Sequence, residues 1–128
     1  MNNLQPVFMK LEKVPCLVVG GGKIALQKIH QLIDSKAMVT VVSPEISESI
    51  CSLPVTVVNR CYQSGDLDGV RLVIAATDNK RVNQQIYLDT QKKSIPVNVV
   101  DQPKLCTFYM GSVYQDGDLK VAMSTNGK

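Results

Sequence analysis

The sequence predicts an α/β domain: a doubly wound parallel sheet with helices on both faces, followed by a short antiparallel hairpin. Three observations carry this. Short apolar, β-branched runs alternate with segments of helical period across residues 16–100. A glycine-rich turn, Gly20-Gly21-Gly22, separates the first such run from the first helical segment. After Asp101 the alternation stops, and two strand-like runs flank an Asp-Gly pair.

Cys16-Leu17-Val18-Val19 is apolar throughout, the pattern of a parallel strand covered on both faces. From Ile24 the period lengthens: Ile24, Ala25, Ile29, Leu32 and Ile33 share one helical face. Met38 to Val42 is β-branched enough for a second strand, ended by Ser43-Pro44. Ile46 to Cys51 suits a short helix, and Val55 to Val58 a third strand. Beyond a loop containing Ser64-Gly65-Asp66, Arg71 to Ala76 reads as the fourth strand. Asp78 is the expected N-cap of a helix over Lys80 to Lys92, with Val82, Ile86 and Leu88 as its apolar contribution. Ile95 to Val100 is the fifth strand, where Pro96 is compatible only with the strand's start or a sheet edge. Thr107 to Tyr114 and Leu119 to Ser124 then form the hairpin through Gln115-Asp116-Gly117-Asp118. No helix follows to cover it, so its apolar face is a natural surface for a second copy of the chain.

Composition sets the outer limits. A length of 128 residues is that of one domain, and 45% hydrophobic content excludes a disordered chain. The net charge of +3 comes from scattered basic residues and gives no reason to expect nucleic acid. With no secretory segment and no apolar run of about 18 residues, the expectation is a cytoplasmic protein away from membranes, with reduced thiols. Cys16, Cys51, Cys61 and Cys106 form no C-x-x-C pair and His30 is the single histidine, so neither a metal site nor a histidine-based nucleophile is expected.

Gly20-x-Gly22-x-x-Ala25 follows a strand and opens a helix, the setting in which this motif marks a dinucleotide-binding (Rossmann) turn. Gly20 permits the tight turn, Gly22 lets the backbone approach a pyrophosphate, and Ala25 allows close helix–strand packing. Amides near Lys23 and Ile24 would donate to the phosphates, aided by the helix dipole. The turn is not an ATPase phosphate loop, because Lys23 follows too few residues and Ile24 stands where a hydroxyl would hold magnesium. At the end of the second strand Ser43 occupies the usual acidic position and Glu45 lies two residues on. Glu45 either reaches the ribose or is a solvated loop residue. With no arginine near it in the chain, NAD is favoured over NADP. Ala76 and Thr77, ending the fourth strand, place small residues beside a cofactor. Asp101 follows the fifth strand and should project at the carboxyl edge of the sheet. There it can accept the proton that accompanies hydride loss, or simply form the turn before Gln102-Pro103.

Several segments together identify a family. They are Pro6-Val7-Phe8, the glycine turn with Ala25, Val41 to Glu45, Ala75-Ala76-Thr77-Asp78, a helix bearing Asn83, Asn98-Val99-Val100-Asp101-x-Pro103, Cys106-Thr107-Phe108, Asp116 to Leu119, and Ser124-Thr125-Asn126-Gly127. The series resembles the precorrin-2 dehydrogenases of sirohaem synthesis, including the dehydrogenase/ferrochelatase part of sirohaem synthase. The resemblance implies NAD-dependent oxidation of precorrin-2, an anionic tetrapyrrole, to sirohydrochlorin, with ferrous iron as a further substrate in some members, and a homodimer. It matches Lys23-Ile24 and Pro44-Glu45 to NAD contacts and Asp101 to the catalytic aspartate. Residues 1–111 are then an NAD-binding domain, and 112–128 the start of a dimerisation segment that is cut short at Lys128. Gly111 departs from the family's usual proline. A non-catalytic NAD-sensing domain and an inert fragment of the enzyme are the competing expectations. The sensing domains usually carry a third glycine where Ala25 stands and an acidic residue where Ser43 stands.

Overall fold

A computed structural model of the chain describes residues 1–126. Strands β1 (Pro15–Val19), β2 (Met38–Val42), β3 (Thr56–Val58), β4 (Leu72–Ala75) and β5 (Val97–Val99) form one parallel sheet in the order β3-β2-β1-β4-β5. Alternation along β1 explains why the sheet needs helices on both sides. Cys16 and Val18 face one core cluster with Ala25, Ile29 and Leu32 of α1 (Lys23–Asp34) and Ile50 of α2 (Glu48–Cys51). Leu17 and Val19 face the other with Val73, Val97 and Ile86 of α3 (Lys80–Lys92). The uninterrupted apolar strands are thus covered on two faces, as expected for a doubly wound sheet.

Several local expectations are corrected. Asn79, not Asp78, caps α3: its side chain accepts from the amides of Arg81 and Val82 at 3.0 and 3.2 Å. Leu88 is exposed, and the α3 face toward the sheet instead buries Asn83, Asp89 and Thr90 with Ile86, because their polar groups find partners there. Ile24 leaves the buried face of α1 and is exposed at its first turn. Residues 107–111 are not strand. Thr107 and Phe108 are instead bonded to β5, which ends the sheet.

That arrangement closes an otherwise open edge. The Val97 amide donates to Thr107 Oγ1 at 2.8 Å, the Thr107 amide donates to Val97 O at 2.8 Å, and the Val99 amide donates to Cys106 Sγ at 3.1 Å. Side chains thereby complete a ladder that no sixth strand provides, which protects the edge from pairing with another chain.

The hairpin of β6 (Ser112–Asp116) and β7 (Leu119–Met123) stands apart as its own two-stranded sheet. Its turn is shorter than expected: Asp116 pairs with Leu119, leaving Gly117-Asp118 as the connection, with Gly117 at φ +58°. The register places Tyr114, Leu119, Val121 and Met123 on one face, and all four are exposed. Gly111 lies so close to β7 that a side chain there would collide with the Met123 carbonyl. Of the Ser124–Gly127 motif, Gly127 lies outside the described residues, as does Lys128.

Replacing Thr107 with the near-isosteric valine should lower stability by about 1–3 kcal/mol, since it removes the acceptor for the buried Val97 amide. Urea unfolding of the two proteins measures the difference, and no change would mean that the edge is satisfied in another way.

Candidate functional site

A groove of about 1090 Å³ runs across the carboxyl ends of β1, β2, β4 and β5. It lies where the chain order reverses, since β1 is flanked by β2 and β4. Such a switch point leaves a crevice between diverging loops. The glycine turn forms its floor, and each of the three glycines has a different physical role. Gly20 adopts φ +131°, and a Cβ there would lie 2.7 Å from the Ala76 carbonyl carbon. Its amide donates to Val42 O at 3.0 Å, so the turn is drawn against the ends of two strands. Gly21 has no room either: a Cβ would lie 2.8 Å from Ile46 Cα, and its carbonyl accepts from the Ser47 amide at 3.0 Å. Gly22 is different. Nothing lies within 4 Å of its missing Cβ, and the residue lines the groove.

The start of α1 completes this cradle. Gly22 offers no side chain to cap the helix, no acidic residue occupies the first turn, and the earliest helical bond runs from Leu26 N to Gly22 O at 3.0 Å. The first-turn amides of Lys23, Ile24 and Ala25 precede it and have no intrahelical acceptor. Together with the open space beside Gly22 and the Lys23 ammonium, they suit an anionic diphosphate. The chain's own residues therefore fit the group that the motif implies.

All but one of the sequence-derived cofactor residues line this groove: Gly20, Gly22, Lys23, Ile24, Ser43, Pro44, Glu45, Ala76 and Thr77. Ala25 does not. It is fully buried beneath the turn, where its small side chain permits the approach of α1 to the sheet. Asp101 joins the groove at its β5 end. It sits at φ +62°, in a turn where the Val100 amide donates to Ala75 O and the Gln102 amide to Val99 O, so its turn-forming and site-lining roles coincide. A smaller recess of about 340 Å³, lined by Lys28, Asn98 and Gln102 among others, shares Ile24, Val100 and Asp101 with the groove.

The β4 end is held by Asn83. Its Oδ1 accepts from Thr77 Oγ1 at 2.5 Å and from the Thr77 amide, and its Nδ2 donates to Thr77 O at 3.1 Å. A buried amide with three bonds to one residue fixes the loop that passes Gly20.

Of the lining residues that the sequence-derived set lacks, Gly21, Cys61 and Tyr62 bear most on the site. Gly21 is the unspecified middle of the motif, and only its own lack of a side chain hinted at it. Cys61 and Tyr62 follow β3, and folding brings them to the groove beside Pro44 and Val82. Tyr62 donates to Asp89 Oδ2 at 2.8 Å, and burial plus that carboxylate pushes the phenol well above its usual range, so it stays a protonated donor. By contrast, burial raises the Cys16 thiol to about 11 and also raises that of Cys106, which marks both as packing groups. Asn59 Nδ2 donates to Pro44 O at 3.3 Å, so the segment after β3, which carries Arg60 between Asn59 and the groove-lining Cys61, is tied to the lip that bears Pro44 and Glu45.

A parallel α/β sheet with a glycine cradle at its switch point defines a dinucleotide-binding domain. The family model described as "Putative NAD(P)-binding" matches residues 7–112, and the chain belongs to that family. Among curated proteins it is similar to the siroheme synthase of Methylobacillus flagellatus (45% identical over 126 residues) and that of Pseudomonas entomophila (46% over 126 residues). Each alignment covers 95% of this chain and 27% of the relative, so the chain spans about a quarter of their length. Among solved structures it resembles one titled "SirC, precorrin-2 dehydrogenase", at a TM-score of 0.85 and 27% identity, covering 97% of this chain and 63% of that one.

The glycines offer a paired test. Gly21→Ala should destabilise the fold by several kcal/mol, because backbone rather than a mobile side chain occupies the Cβ position. Gly22→Ala should keep the wild-type melting temperature within about 2 °C yet weaken NAD binding at least about tenfold, since its methyl group enters the phosphate cradle. Thermal melts and calorimetric titration with NAD separate the two effects.

Proposed function

We propose that this chain is the cofactor-binding and catalytic part of a precorrin-2 dehydrogenase, oxidising precorrin-2 to sirohydrochlorin with NAD as acceptor. The observation that carries this reading is the position of Asp101, at the β5 end of the groove and at the mouth of the adjoining recess. A substrate entering from that side meets the carboxylate next to the cofactor. The relatives' titles, siroheme synthase and precorrin-2 dehydrogenase, agree with it.

Bound in the groove, the nicotinamide supplies the hydride acceptor. The chain's residues supply the rest. Amides of the α1 first turn and Lys23 hold the diphosphate; Ser43, Pro44 and Glu45 flank the ribose end, where a carboxylate accepts hydroxyl hydrogen bonds. Removal of a hydride leaves the substrate one proton in excess, and the Asp101 carboxylate takes that proton. Insertion of ferrous iron into the product, as a substrate of the same site, displaces pyrrole N–H protons for which the same carboxylate is an acceptor.

Residues 1–111 act in this reading as the NAD-binding domain and 112–128 as the start of a dimerisation segment. The exposed Tyr114, Leu119, Val121 and Met123 face of the hairpin is the proposed contact between two copies. A cytoplasmic setting fits the four free cysteines.

With precorrin-2 and NAD supplied, the expected readout is NADH absorbance. Asp101→Ala should reduce turnover at least about 100-fold while leaving the dissociation constant for NAD within about twofold. Undiminished turnover in that variant would overturn the assigned role. Tight NAD binding with no turnover in the wild-type chain would instead favour a binding module.

A further inference from the structure

Arg60 lies beside the lip of the groove, one residue before the groove-lining Cys61 and one after Asn59, which is bonded to Pro44 O. Arg60 itself does not line the groove, and both its terminal nitrogens are engaged elsewhere. Nη2 meets Asp66 Oδ1 at 2.5 Å, Nη1 meets Asp66 Oδ2 at 2.9 Å, and Nη1 also donates to Cys61 O at 3.0 Å. Asp66 is itself fixed. Its Oδ2 accepts from the Gln63 amide at 2.8 Å within the short turn Ser64–Leu67, and its side chain is only 10% exposed, against 40% for Arg60. The guanidinium and the Gln63 amide hold this carboxyl below the usual carboxylate range, so it remains ionised and paired at neutral pH.

This lip is where dinucleotide folds distinguish their two cofactors. A carboxylate there favours a free ribose 2′-hydroxyl, and an arginine accommodates a 2′-phosphate. The chain has both groups at hand: Glu45 lines the groove, and Arg60 stands beside it. We infer that Arg60 is a latent 2′-phosphate ligand, withheld from the groove by its bidentate pairing with Asp66, and that this ion pair together with Glu45 makes the site selective for the unphosphorylated dinucleotide. The inference rests on the cofactor reading above and names the residues that set its specificity. Neutralising Asp66 frees a planar donor matched to phosphate, next to the position a 2′-phosphate would occupy.

The test is calorimetric titration of the full chain with NAD and, separately, with NADP. The wild type should prefer NAD. Asp66→Asn should tighten NADP binding at least about threefold with NAD affinity unchanged, and the gain should shrink at high salt. Adding Arg60→Ala to that variant should abolish the gain. Arg60→Ala alone should leave NADP affinity as it was, because the wild-type guanidinium is not available to the ligand; this variant keeps the proposal testable if Asp66→Asn does not fold. An unchanged NADP-to-NAD ratio in folded Asp66→Asn, a loss of NADP affinity in Arg60→Ala alone, or a wild-type preference for NADP would each overturn the proposal while the cofactor reading stands. A wild type that binds neither nucleotide would overturn both.

Discussion

The constraint on which the rest of this structure depends is the contact of backbone against backbone at the glycine turn. Gly20 rests on the Ala76 carbonyl and Gly21 on the chain between Glu45 and Ile46. Neither position has space for one more carbon. Because the turn is pressed against the loops after β4 and β2 at once, it fixes the width of the crevice between them and the direction in which α1 departs. Ala25, buried one turn later, lets that helix settle on β1 and β2. Gly22, Lys23 and Ile24 consequently line the groove, with open space beside Gly22.

Around that constraint the groove is built from two kinds of group with different physics. At the start of α1 the available donors are backbone amides, which cannot change with side-chain identity and whose orientation the helix enforces. At the ends of the groove the groups are side chains and need separate supports. Asn83 holds Thr77 by three hydrogen bonds, and Asp89 holds Tyr62. Each support comes from an element that does not itself form the floor. Such partners reduce the number of conformations available to a groove wall before any ligand arrives.

Legibility in the sequence followed the range of the interaction involved. The strands of the main sheet, α1 and α3 were readable because burial on two faces, helical period and the Gly20–Ala25 spacing are local patterns. The cofactor residues named from that spacing reach one groove, with Ala25 beneath it. Misreadings occurred where a distant partner decided the outcome. Thr107 to Gly111 looks β-forming, yet Thr107, with Cys106 before it, serves the β5 edge through side-chain bonds, and no residue of the segment joins a strand pair. Leu88 looks like a core residue, but the sheet side of α3 accepts Asp89 and Thr90 because Tyr62 and the Tyr87 carbonyl satisfy them.

The sequence by itself determined the fold class and the glycine cradle, because short-range sterics and periodicity suffice for both. It also placed Asp101 at a strand end, since a residue directly after a parallel strand must emerge at the carboxyl edge. Tertiary structure alone decided that Gly21 is as constrained as Gly20, and that Cys61 and Tyr62 wall the groove. It alone tied Asn59 to the Pro44 carbonyl and paired the neighbouring Arg60 with Asp66. These depend on loops separated in the chain meeting at one edge of the sheet, and no local pattern encodes a meeting of that kind.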